Sequence, residues 1–88
     1  MKTVRLNGTQ LTNRQEALEL LGQALDLPEW WGRNLDALYD CLTEPGRAVR
    51  LELSDRAAME AAPFGRLLLR VLKDAAAAGT GLEITDAE

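Results

Sequence analysis

A small α/β domain with parallel strands is the fold class that this 88-residue sequence predicts. Three observations predict it. Three short segments, Thr3–Leu6, Ala48–Leu53 and Leu82–Thr85, alternate apolar and polar residues at the period of a strand. Longer stretches between them repeat apolar residues at the period of a helix. The connections are too long for hairpins, and a strand–helix–strand–helix–strand order pairs its strands in parallel through right-handed crossovers. Because every strand alternates, one sheet face is expected to be packed and the other wet, which is unusual for parallel strands. One domain over 1–88 is expected, without repeat or linker.

In the first strand Val4 and Leu6 share a face. Asn7-Gly8 is a turn signal, compatible with a hairpin into Thr9-Gln10-Leu11. A strand-to-helix connection is preferred, because Thr12-x-x-Gln15 and Asn13-x-x-Glu16 both resemble capping boxes. A first helix follows over about 13–25, with Leu18, Leu21 and Leu25 as its stripe. Gly22 within it costs about 1 kcal/mol against alanine if exposed. Pro28 stops that helix from running on. In the middle strand Val49, Leu51 and Leu53 point inward, and Arg50 and Glu52 outward. Ser54 is expected to cap a short helix over 55–61, and Pro63 to occupy the first turn of the next. There Phe64, Leu67, Leu68, Val71, Leu72 and Ala75 form an apolar stripe. Gly79 is a helix stop before the last strand.

The segment Leu27-Pro-Glu-Trp-Trp-Gly-Arg-Asn-Leu-Asp-Ala-Leu-Tyr-Asp-Cys-Leu-Thr43 holds both tryptophans and the one tyrosine. Residues 26–44 carry five acids and one base, so the whole formal charge of −4 resides there and the rest of the chain is neutral. Asn34 is an N-cap, and Leu35, Leu38 and Leu42 recur as a core-facing stripe. Asp36, Tyr39, Asp40 and Thr43 recur on another face. Asp36 is favoured by the helix dipole, whereas two aspartates at i, i+4 repel by roughly 0.2–0.5 kcal/mol. A cationic surface would turn that penalty into attraction. An ordinary solvated acidic face is the competing explanation.

These seventeen residues resemble the signature of the barstar family, the intracellular protein inhibitors of small bacterial ribonucleases: L-P-E, two aromatics, G-x-N-L-D-A-L, an aromatic, then D-x-L-T. The match is looser elsewhere, but order and length agree along nearly the whole chain. The resemblance implies a three-stranded parallel sheet with about four helices mainly on one face. It also implies a function, inhibition of a basic, barnase-like ribonuclease by an acidic, aromatic-flanked helix and loop over 27–43. A barstar-like scaffold that binds another basic protein or toxin is the alternative. By the same resemblance, Trp30 stacks on the enzyme, and Leu35, Asp36, Tyr39 and Asp40 occupy the centre of the contact. Asp40 enters the phosphate-binding site and pairs with catalytic cations. Gly32 and Asn34 approach through backbone or amide, and Asp74 makes a satellite contact. Departures from the family pattern are Tyr39 in place of a tryptophan, Trp30-Trp31 in place of a tyrosine pair, Arg33 in an otherwise acidic loop, and an aromatic-free Glu44-Pro45-Gly46-Arg47 after the helix.

Other classes fit less well. Asp36 and Asp40 as an acid–base pair would need a pocket that adjacent turns of a convex helix do not supply. Cys41 has no histidine to activate it and reads as a structural thiol, as Trp31 reads as core packing. A single cysteine and no histidine offer no zinc ligand set, and neither metal nor cofactor is expected. An acidic chain disfavours nucleic acid, and no apolar run is long enough to span a membrane. With no signal-peptide pattern at Met1–Leu6, the expected setting is the cytoplasm, as a monomer when free.

Overall fold

The computed structural model describes residues 2–44, 46, 48–79 and 81–87. Pro45 and Arg47 of the expected loop, and Thr80 before the last strand, lie outside them.

Strand β1 covers Lys2–Asn7, β2 covers Val49–Ser54 and β3 covers Leu82–Asp86. They form one sheet in the order β1-β2-β3, and both pairings are parallel. The order explains the one-sided packing. A sheet crossed in one direction by right-handed connections receives both on the same face. Helices α1 (Arg14–Ala24) and α2 (Leu35–Leu42) lie in the first crossover, and α3 (Arg56–Ala61) and α4 (Pro63–Ala77) in the second. Val4, Leu6, Val49, Leu51, Leu53 and Leu82 meet the helices as a buried layer. The other face carries paired charge: Arg5 Nε lies 2.9 Å from Glu52 Oε1, and Arg50 Nη2 lies 3.8 Å from Glu83 Oε1, each between register partners on adjacent strands.

The segment after β1 is a single 3-10 turn, Gly8–Gln10, held by the Asn7 side chain accepting from Thr9 N, so the strand-to-helix connection is the one formed. Gly8 is needed there for closeness: a Cβ on it would lie 2.2 Å from the Asp55 carbonyl oxygen. Of the two capping candidates before α1, Asn13 acts, accepting from Glu16 N at 3.1 Å. Pro63 starts α4 as expected, and Gly79, at φ +75°, ends it.

Two expectations are corrected. Ser54 does not cap α3; it stays in β2 opposite Asn7, and its hydroxyl donates to Leu6 O. The N-cap position belongs to Asp55, in the left-handed conformation at φ 49°. The α4 stripe is also rotated. Leu67 is 54% exposed, Phe64 and Val71 are half-buried, and Gly65, Leu68, Leu69, Leu72 and Ala75 are buried. The helix packs against α2, α3 and β3 together, which draws Leu69 inward. Gly65 permits that contact, since a Cβ there would meet the Met59 carbonyl oxygen at 2.3 Å.

Candidate functional site

The loop between α1 and α2 and the outer face of α2 form the candidate site. Both are fixed from beneath. Trp31 is 5% exposed and belongs to the core, whereas its neighbour Trp30 is 84% exposed. Trp31 N donates to Pro28 O at 3.0 Å, closing the turn that turns one ring in and the other out. The chain then passes through two residues with positive φ, Gly32 at 93° and Arg33 at 47°. Glycine is cheap in that region; arginine there costs roughly 1 kcal/mol. Asn34 follows as N-cap, its Oδ1 accepting from Ala37 N at 2.7 Å while its Nδ2 donates to Gly32 O at 3.3 Å. One amide thus binds the helix start to the loop before it.

From Asn34 the helix divides cleanly. Leu38 and Leu42 are buried, and Leu35, Ala37 and Cys41 pack part-buried beside them. Asp36 and Asp40 are exposed, and Tyr39 is 37% exposed. Among the described residues neither aspartate forms an ion pair. Thr43 ends the helix by donating its hydroxyl to Tyr39 O at 2.8 Å.

An open cleft of about 270 Å³ joins loop to helix, lined by Pro28, Trp30, Trp31, Ala37, Asp40, Cys41 and Glu44. It brings Trp30 and Asp40 to one place. Gly32 and Asn34 adjoin it through the loop, and Leu35 is part-buried at the start of α2, packed against the core. Asp74 is exposed on α4, but the shallow cleft it lines contains only residues of α3 and α4, among them Glu60, Arg66, Arg70 and Lys73. Glu44 is the residue that the sequence argument left out of the site. Its signal was present, since 36, 40 and 44 continue one i, i+4 row. Arg33, the base of the segment, sits on the other side of the loop. It donates through Nη1 to Glu29 O at 3.3 Å, its Nε lies 3.9 Å from Glu19 Oε1 of α1, and it is absent from the Trp30–Asp40 cleft.

Comparison with known proteins decides the family. The family model described as Barstar (barnase inhibitor) matches residues 1–85. The chain belongs to the barstar family. A similar relative is the "Putative ribonuclease inhibitor YrdF" of Bacillus subtilis (strain 168), 42% identical over 43 residues, a stretch covering 49% of this chain and 47% of that one. The barstar family is one of ribonuclease inhibitors and not of enzymes. Among the described residues the chain has the three-stranded parallel sheet and four α-helices that the resemblance implied. Among the described residues no helix is long and apolar enough to cross a membrane, and no group of three or more His, Cys, Asp or Glu side chains could hold a metal ion.

Proposed function

We propose that this barstar-family protein inhibits a small, basic, barnase-like ribonuclease by filling its active site with the loop and α2, and that it serves as a cytoplasmic immunity protein acting as a monomer. One observation carries the proposal: Asp36 and Asp40 stand exposed without an ion pair among the described residues, and Asp40 shares a cleft with the exposed ring of Trp30.

The chemistry follows from what a ribonuclease active site must contain. Cations gathered to hold a phosphodiester accept a carboxylate equally well, since it offers two acceptor oxygens in bidentate geometry and has no scissile bond. Asp40 takes that role. Asp36 reinforces the local potential from one turn earlier, and Trp30 and Tyr39 supply stacking area that excludes water. Gly32 and Asn34 bring backbone and amide close to the enzyme, Leu35 offers its part-exposed edge at the centre of the contact, and Asp74 adds a peripheral contact. Because α2 is anchored by buried leucines, little ordering is needed on binding. The interface is about 800 Å² on each partner, the usual size for such complexes.

The test is inhibition of small secreted ribonucleases from the source organism, with association followed against salt. Association should slow as salt is added, because the steering field is screened within about 10 Å at 0.1 M. A salt-independent on-rate removes the steering role. Binding to a basic toxin that is not a ribonuclease, with the same dependence on Asp40, would assign the scaffold to that partner instead.

A further inference from the structure

None of the residues proposed above for the contact lies on α1, yet α1 holds the contact loop at two points. The first is Gly22. A Cβ on it would stand 2.8 Å from Trp31 Nε1 and 3.3 Å from Trp31 Cε2, so the indole lies directly on the glycine backbone. Leu27 N adds a bond to Gly22 O at 2.9 Å. The second is Glu19, three residues earlier and so on the same face of α1. Its carboxylate faces Arg33, whose guanidinium also reaches back to Glu29 O. Arg33 borders two clefts on the α1 side of the loop and not the one shared by Trp30 and Asp40. The helical glycine read from sequence as a possible soft spot is therefore the seat of a buried indole.

We propose that Gly22 and the Glu19–Arg33 pair are positioning residues, a clasp that fastens residues 27–34 to α1, sets the outward turn of Trp30, and swings the one base of the acidic segment away from the partner. Arg33 thereby does not oppose a basic partner, although it is the one base in an otherwise acidic loop. It holds the loop in its bound shape. The effect on affinity rests on the function proposed above; the effect on the loop does not.

The full chain is compared with Gly22→Ala, Arg33→Gln, Glu19→Gln and the Glu19→Gln/Arg33→Gln double variant. Amide exchange over 27–34, tryptophan emission, the urea midpoint, and association and dissociation rates with a ribonuclease that the wild type inhibits are measured. Gly22→Ala should speed loop exchange about tenfold or more and red-shift the emission, because the indole must leave its seat. Each charge variant should speed loop exchange about two- to fivefold with an unchanged urea midpoint, and the double variant no more than either single one. Arg33→Gln decides between the two possible roles of the cation. If it merely repels a basic enzyme, its removal speeds association and leaves dissociation alone. If it clasps the loop, dissociation quickens about two- to fivefold. Unchanged loop exchange in the charge variants, additive effects in the double variant, or an altered association rate with unaltered dissociation would each overturn the proposal. A wild type that inhibits no ribonuclease would sink the proposed function, while the exchange measurements would still decide the clasp.

Discussion

The outer face of the sheet and the outer face of α2 are both exposed and both charged, yet they differ in kind. On the sheet, Arg5 faces Glu52 and Arg50 faces Glu83, so acid and base cancel within the face. On α2, Asp36 and Asp40 repeat one sign at i, i+4 and form no ion pair among the described residues. The first arrangement suits a surface that meets only water. The second retains a local repulsion that folding alone gives no reason to keep. Uncompensated charge beside an exposed tryptophan, rather than charge as such, is the ground on which this face is proposed to meet a partner.

Substitutions can break or sharpen that contrast. The largest effect is expected beneath the ridge. Leu38→Ala should lower unfolding free energy by about 2–5 kcal/mol in urea titration, because Leu38 is fully buried and holds α2 to the core. Next comes Asp40→Ala, which should weaken inhibitor binding by about 2 kcal/mol or more, roughly thirtyfold; that is the general threshold for hot-spot residues, of which the barnase–barstar pair is itself an example. Glu60→Ala, an exposed acid on α3, should change binding little, and equal small losses for the two by calorimetry would dissolve the assigned patch. Asn34→Ala should cost about 1 kcal/mol of stability through the lost cap on Ala37 N. The smallest effects carry opposite signs. Asp40→Ala should raise stability by roughly 0.2–0.5 kcal/mol by relieving repulsion, and Glu52→Ala should lower it by at most about 1 kcal/mol. Thermal unfolding of the pair reads both, and a shared sign would erase the distinction between the faces.

Much of this arrangement was legible in the sequence, for reasons that differ by element. The α2 stripe and its Asn34 cap are local signals, and local signals need no knowledge of neighbours. The parallel sheet followed from alternation plus connection length. What escaped depended on tertiary contact. The buried arc of α4 is set by α2, α3 and β3 together, and no helical period alone places Leu69 inside and Leu67 outside. Ser54 looked like a cap because the end of β2 could not be fixed to a residue, and pairing with Asn7 keeps it in the strand. Gly22 looked like a weakness because the indole that needs its bare backbone comes nine residues later. In the candidate site, Trp31 is in the core as its sequence reading has it, and Trp30 is exposed. Arg33 of the loop lies beside Glu19 of α1, a nearness that left no trace in the local pattern.

Two turns of α2 split their duties between two faces, with Leu38 and Leu42 answering to the interior and Asp36, Tyr39 and Asp40 turned to solvent. If α2 binds as proposed, a lineage that carries this helix can exchange one partner for another by rewriting solvent-side positions. The interior need not be renegotiated each time, and so recognition is free to diverge much faster than the architecture that displays it.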